Sequence, residues 1–118
     1  MTIEEAGERY RIPAEVLREY ESWGLGGEAK SVEGARLCDQ TDIERLSLIM
    51  TLHDVGFTSE EIERYMRLTL ADEDTAAERA AILRQKRSGT LEEIHLKQEQ
   101  LDRLDYLRFE LSRAAKPK

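Results

Sequence analysis

The chain has 118 residues, of which 40% are apolar, 36% charged and only 6% aromatic. This length allows one modest core, and this composition favours helices with one solvated face over a parallel sheet buried on both faces. The single cysteine, Cys38, excludes an internal disulfide and a metal site built from several cysteines. No apolar run approaches the ~20 residues that cross a bilayer, and the acidic N-terminus does not resemble a signal peptide. We therefore expect a cytoplasmic protein without membrane contact.

The formal net charge of −7 is concentrated in the first part of the chain. Residues 1–68 contain 8 Lys or Arg against 15 Asp or Glu, which gives −7, whereas residues 69–118 contain 10 of each. A partner of the first segment would meet an acidic surface unless its basic side chains cluster on one face.

Capping boxes predict where four of the helices start. In such a box, a Thr hydroxyl and a Glu carboxylate three residues later satisfy each other's free backbone N–H groups. The boxes begin at Thr2, Thr41, Thr58 and Thr75, and Pro13 favours a further start. A fifth match, at Thr90, lies inside a longer helical pattern and is not interpreted as a start. With the apolar spacing, these signals predict helices over 3–9, 13–22, 42–55, 59–68 and 75–114.

Between the second and third helices, the glycine-rich segment 24–37 predicts a loop with a short two-stranded wing. Gly56 suits the left-handed position after the end of the third helix. The predicted inward-facing residues are Ile3, Ala6, Val16, Leu17, Tyr20, Ile43, Leu46, Ile49, Met50, Leu52, Ile62, Tyr65 and Met66.

The last predicted helix is too long for a globule of this size, because ~40 residues span ~60 Å. It must either fold back or pack against another chain. Its apolar positions form a diluted coiled-coil stripe. Its first part is basic and its later part acidic, which favours an antiparallel homodimer over a parallel one, although both parts could simply be solvated. The stripe residues are Leu83, Ile94, Leu101, Leu104 and Leu111.

Three segments of the sequence resemble the MerR family of bacterial transcription regulators. They are "LREYESWGL", "GARL" and "DIERLSLIMTLHDVGFTSEEIERYM", in the order and at the spacing of that family, and the similarity extends from Thr2 to Leu111. The resemblance implies a mainly α-helical fold, with a winged helix-turn-helix head over residues 1–70 and a dimerisation helix over 75–114. From the composition of the chain's end, we expect a flexible tail over 115–118.

The resemblance also implies a function. Two recognition helices would enter successive major grooves of a pseudo-palindromic promoter, bend and untwist the DNA, and so act indirectly on RNA polymerase. We expect no separate effector domain. The sequence contains no catalytic pattern and no phosphate-binding loop, so we expect neither an enzyme nor a bound cofactor or metal.

The predicted DNA contacts come from positions that match the family. Arg18 matches the arginine that faces the groove, and Arg36 matches the arginine of the wing. Lys30 and Arg11 would add contacts to phosphates. The chain departs from the family at two acids on the side of Arg18: Glu19 replaces an aromatic residue, and Glu15 stands where a basic or polar residue is common.

These acids leave alternatives open. They would repel phosphates, although Glu15 could instead accept a hydrogen bond from cytosine N4. The first alternative to a DNA-binding regulator is a dimer of the same fold with weak or no DNA binding, which acts as a protein interaction module through its acidic head. The second is a regulator that reads DNA only alongside a basic partner.

Overall fold

The computed structural model describes residues 1–25, 31–32 and 35–115, with the backbone alone at 31–32 and 35–36. These residues form five helices and one antiparallel sheet of two strands. In chain order the elements are α1 (Ile3–Arg9), α2 (Ala14–Ser22), β1 (Ser31–Val32), β2 (Ala35–Arg36), α3 (Gln40–Asp54), α4 (Ser59–Thr69) and α5 (Ala76–Ala115). The chain divides into two compact units, Met1–Ala76 and Ala77–Lys118.

Two helix starts use the predicted threonines. The Thr2 hydroxyl oxygen accepts a hydrogen bond from the backbone N–H of Glu5 at 3.1 Å and so begins α1. Thr58 and Glu61 form the complete reciprocal box at the start of α4, with bonds of 3.2 and 2.9 Å. Sequence rules place these boundaries correctly because both partners lie within one turn of each other.

The prediction that Thr41 caps α3 is wrong. The cap is Asp39, whose carboxylate accepts from the backbone N–H of Asp42, while the Asp42 carboxylate accepts from the N–H of Asp39. An aspartate at each end of the box replaces the Thr–Glu pair, so α3 begins at Gln40 and Thr41 lies inside its first turn.

The start of α5 also differs from its prediction. The Thr75 hydroxyl donates to the carbonyl of Leu68 at 2.5 Å, and the Asp74 carboxylate accepts from the N–H of Ala76 at 2.9 Å. Thr75 is buried and ties the end of α4 to the start of α5. The helix therefore begins at Ala76.

The corner between α3 and α4 ends α3 as predicted. Gly56 has φ of +90°, a conformation that favours glycine. The N–H of Gly56 donates to the carbonyl of His53 and that of Phe57 to the carbonyl of Leu52, both at 3.0 Å. This pair of bonds is the Schellman motif, and the buried side chains of Leu52 and Phe57 complete it.

The core lies in the first unit, where α1 to α4 pack together. Phe57 meets Tyr65 of α4 edge to face, with ring centroids 6.3 Å apart. Leu17, Ile43 and Met50 were predicted to face inward but are only half-buried. The remaining predicted inward-facing residues are buried, together with Ile12, Cys38 and Phe57: Ile3, Ala6, Val16, Tyr20, Leu46, Ile49, Leu52, Ile62, Tyr65 and Met66.

The predicted wing is present as β1 and β2, which pair Ser31 with Arg36 and Val32 with Ala35. Its exit is attached to the start of the chain, because Leu37 forms an antiparallel bridge with Thr2 and the N–H of Cys38 donates to the carbonyl of Met1 at 2.8 Å. These contacts fix the base of the wing beside α1.

Helix α5 is continuous for 40 residues and has no buried residue in the single chain. It passes through Gly89 and Thr90 without interruption, and the Thr90 hydroxyl donates to the Lys86 carbonyl at 2.9 Å. Ala115, predicted to belong to the tail, is the last residue of the helix. The rest of the predicted tail, 116–118, lies outside the described residues. Within the described residues, no helix is long and apolar enough to cross a membrane.

Candidate nucleic-acid interface

The turn between α1 and α2 sets the angle at which α2 leaves α1. Arg11 adopts φ of +54°, and the N–H of Ile12 donates to the carbonyl of Gly7 at 2.9 Å. Ile12 is buried, and Pro13 follows it as the N-cap of α2 with its φ fixed at −57°. The left-handed conformation of Arg11 follows the end of α1, and Pro13 starts α2 two residues later.

Helix α2 has one buried face and one free face. Val16 and Tyr20, four residues apart, point into the core, whereas Glu15 and Arg18, three residues apart, are exposed. This spacing places Glu15 and Arg18 on neighbouring positions of one face, as predicted. Arg18 is therefore available to a partner of the second helix, with Glu15 beside it.

Glu19 is not directed to that free face. One oxygen of its carboxylate, Oε1, accepts a hydrogen bond from the Ser59 hydroxyl of α4 at 2.9 Å. The other, Oε2, lies 3.4 Å from Nε2 of His53 in the last turn of α3. The acid predicted to oppose DNA next to Arg18 is thus engaged with two other helices.

The deepest attachment of α2 is the Tyr20 hydroxyl, which donates to the Asp42 carboxylate at 2.5 Å. Tyr20 is fully buried and Asp42 nearly so. Burial, together with the hydrogen bond to Asp42, raises the pKa of Tyr20 to about 12. Because Asp42 also caps α3, one carboxylate joins the start of α3 to the middle of α2.

Two arginines hold the end of α2. Arg67 of α4 donates to the carbonyl of Trp23 at 3.2 Å, and Arg45 of α3 donates to the carbonyl of Leu25 at 2.6 Å. Cations are favourable where a helix leaves its last carbonyls unpaired. Gly24, between the two carbonyls, turns the chain with φ of +67°.

Sequence reasoning missed Asp42, Arg45 and Arg67 as residues that position α2. Each is far from α2 in sequence, and the only available signal was the Tyr20–Leu25 segment, "YESWGL", whose family pattern marks a specific turn without naming its partners. A buried tyrosine hydroxyl requires a hydrogen-bond acceptor, and the carbonyls of a turn require donors. The sequence does not show which residues supply them.

The remaining predicted DNA contacts are only partly described. Arg11 is exposed in the turn between the helices, and Arg36 lies in β2, where the backbone alone is described. Lys30 lies outside the described residues. The contacts predicted for Arg11, Arg18, Glu15, Glu19, Lys30 and Arg36 stay predictions.

The predicted dimer residues of α5 are exposed in the single chain. Their exposed fraction rises along the helix from 42% at Leu83 to 74% at Leu111. Tyr106, Leu107 and Phe109 add further exposed apolar area. A row of large apolar side chains in water is unusual unless another surface covers it. Among the described residues, no three His, Cys, Asp or Glu side chains lie close enough together to hold a metal ion.

The wing after a helix-turn-helix pair defines a class of protein, the winged helix-turn-helix proteins, whose second helix commonly reads the major groove of DNA. Comparison with known families shows to which family of this class the chain belongs. Residues 1–69 match the model of the MerR helix-turn-helix family of regulatory proteins, and residues 43–108 match a model of the MerR DNA-binding region. The chain belongs to the MerR family of DNA-binding transcription regulators, as its sequence predicted.

Individual relatives agree with this assignment. An uncharacterized helix-turn-helix transcriptional regulator of Haemophilus influenzae is 28% identical over 106 residues, which cover 89% of this chain and 78% of the relative. The crystal structure of HiNmlR, a MerR family regulator lacking the sensor domain and bound to promoter DNA, has a TM-score of 0.67 at 27% identity. The match covers 97% of this chain and 93% of HiNmlR.

A second solved structure, of a Listeria monocytogenes protein assigned to the same family of transcriptional regulators, has a TM-score of 0.71 at 28% identity. The match covers 95% of this chain and 86% of that protein. These similarities confirm the mainly α-helical, winged helix-turn-helix fold.

Proposed function

We propose that the protein is a homodimeric regulator that binds a pseudo-palindromic promoter through α2 of each protomer. Residues 1–70 act as the DNA-binding head and 75–114 as the dimerisation helix. Arg18 enters the major groove, while Arg11, Lys30 and Arg36 contact phosphates beside it. By bending and untwisting the promoter, the dimer changes how RNA polymerase meets it.

The observation that carries this proposal is the environment of Glu19. Glu15 and Glu19 were both expected to oppose DNA beside Arg18, but the Glu19 carboxylate accepts from Ser59 and lies against His53. Only Glu15 of the two is left exposed beside Arg18. The free face of α2 is therefore less acidic than its sequence indicates, and a single acid can still act as an acceptor for cytosine N4.

The exposed row on α5 supports the dimer. Two copies packed antiparallel would cover the row and set the basic segment Arg84–Arg87 of one protomer against the acidic segment 99–105 of the other. Parallel copies would set like charges together, which is unfavourable. The similarity to HiNmlR, whose crystal structure contains promoter DNA, supports promoter DNA as the target of this protein.

A different function is favoured by the overall charge. The chain carries −7, all of it from residues 1–68, and Glu15 and Glu21 remain exposed on α2. If the contacts to DNA are too weak, the same dimer would bind a basic protein through its acidic head.

The proposal is tested by selecting genomic DNA fragments with the purified protein and measuring affinity for the enriched site. Arg18→Ala should weaken binding about ten-fold or more, since a good arginine–base contact contributes about 1–3 kcal/mol. Arg113→Ala removes the same charge from the last turn of α5 and should change affinity less than about two-fold. Enrichment of no sequence, or equal effects of the two substitutions, would contradict the proposal.

A further inference from the structure

Three side chains from three helices meet at one edge of α2. Glu19 of α2, His53 of α3 and Ser59 of α4 form a group that we call the Glu19 clamp. The Ser59 hydroxyl donates to Glu19 Oε1 at 2.9 Å, and His53 Nε2 lies 3.4 Å from Glu19 Oε2. The clamp joins α2 to both sides of the α3–α4 corner.

The two facing atoms of the clamp are shielded from water. Glu19 Oε2 and His53 Nε2 have no solvent-exposed surface and, within the described residues, make no hydrogen bond, although the rest of each side chain is about 30% exposed. The two shielded atoms face each other across 3.4 Å, while the Ser59 hydroxyl binds the other oxygen of the same carboxylate. The hydrogen bond from Ser59 and the contact with His53 together hold Glu19 against α3 and α4.

The start of α4 favours the same arrangement. Ser59 is the first residue of α4, where the partial positive charge of the helix N-terminus attracts a carboxylate. The start of α4 therefore attracts the Glu19 carboxylate, an attraction that an uncharged tyrosine or other aromatic residue at this position would not have.

We propose that Glu19 is a positioning residue for DNA binding, which deepens the function proposed above and rests on it. Glu19 follows Arg18 directly, so fixing its side chain on α3 and α4 fixes the rotation of α2 about its axis and with it the direction of Arg18. A side chain that is already held loses less conformational freedom when it binds. The departure from the family at Glu19 is thus a second attachment of the recognition helix.

The rival interpretation is that Glu19 repels phosphates, in which case its removal should strengthen DNA binding. One pair of variants separates this interpretation from the positioning role. Glu19→Gln and Glu19→Ala remove the same negative charge, but only glutamine keeps an oxygen that accepts from Ser59. Any effect of charge on DNA binding is therefore equal in the two variants, and their difference measures the clamp.

We expect Glu19→Ala to bind the selected DNA about three- to ten-fold more weakly than Glu19→Gln, the effect of one lost hydrogen bond. Ser59→Ala, at a helix position that tolerates alanine, should bind the DNA about three- to ten-fold more weakly than the wild type. Adding Ser59→Ala to Glu19→Ala should cause no further loss of affinity. The dependence of affinity on salt should stay as in the wild type, because no phosphate contact changes. If both Glu19 variants bind more tightly and equally so, Glu19 repels DNA and the proposal is overturned.

A second measurement needs no DNA and so distinguishes a failure of the clamp from a failure of the proposed function. The chain has 2 histidines, His53 and His95, and His95 is exposed on α5. In nitrogen-15 spectra of the imidazole rings, Glu19→Ala should shift the His53 resonances and leave those of His95 unchanged. Hydrogen exchange of the α2 amides should become faster in the same variant. Unchanged His53 resonances would overturn the clamp whatever the DNA measurement gives.

Discussion

Tyr20 attaches α2 to the core through its buried hydrogen bond to Asp42. Tyr20→Phe should lower the free energy of unfolding by about 1–2 kcal/mol at pH 8, measured in urea, because a buried acceptor loses its donor. Tyr10→Phe, at an exposed position just after α1, is the matched control and should change it by less than about 0.5 kcal/mol. Equal losses in the two variants would contradict the role given to Tyr20.

The raised pKa of Tyr20 predicts how this difference changes with pH. In the unfolded chain a tyrosine loses its proton near pH 10, whereas in the folded protein Tyr20 keeps it up to about 12. A raised pKa contributes stability that is fully present below pH 10 and is lost as the pH rises through 12. The stability advantage of the wild type over Tyr20→Phe should therefore narrow between pH 10 and pH 12, and a constant difference would contradict the assignment.

For single residues, the sequence predicts which apolar side chains point into the core, but it does not predict which polar side chains form hydrogen bonds with each other. Val16 and Tyr20 follow from a spacing of four, and both are buried. Glu19 has the same local sequence signal as Glu15, yet its partner Ser59 is 40 positions away. No local pattern links these two residues, so only the packing of α2 on α4 reveals that one acid is engaged and the other exposed.

Among the elements, helix boundaries were predictable wherever a cap lies within one turn of its partner. Thr58 and Glu61 start α4 as predicted, whereas α3 starts at a cap formed by Asp39 and Asp42. The sequence offered Thr41 as an equally good cap. The burial of Asp42 against Tyr20 selects between the two, and this contact spans 22 residues.

Gly89 lies inside α5, where glycine is less favourable than alanine, and its substitution has an expected sign. A Cβ at Gly89 would have no atom within 4 Å, so Gly89→Ala should stabilise the helix by about 0.5–1 kcal/mol and raise the thermal unfolding midpoint. Gly24→Ala is the control, because that site is equally open but has φ of +67°, and alanine there should destabilise the protein by about 1 kcal/mol. A lower midpoint for Gly89→Ala would show that a partner surface approaches α5 at this residue.

For the whole molecule, the proposed assembly depends on the exposed row of α5. Replacing Leu101 and Leu104 together by aspartate should leave a monomer at micromolar concentration in analytical ultracentrifugation, because charges would enter the apolar interface. Gln100→Asp adds a charge at an exposed polar position and should remain a dimer. A monomeric wild type would contradict the dimer directly.

The antiparallel arrangement has a separate test, in a Cys38→Ala background. In an antiparallel pair, a cysteine near one end of α5 cannot reach its own copy, since the two would lie tens of ångströms apart at 1.5 Å per residue. Arg84→Cys, directly beside Leu83 of the row, should therefore form no disulfide with itself but should cross-link when mixed with Asp105→Cys protein, whose cysteine lies directly beside Leu104. Efficient cross-linking of Arg84→Cys alone would indicate parallel helices.

The central claim is that this acidic chain binds promoter DNA, and the salt dependence of its affinity tests that claim most directly. Three cations from each protomer, Arg11, Lys30 and Arg36, would contact phosphates, so the logarithm of the binding constant should fall with the logarithm of salt concentration with a slope of about −5. Arg36→Ala should reduce the magnitude of this slope by about two, one phosphate for each protomer. Absence of binding at about 50 mM salt, or a slope near zero, would contradict the account.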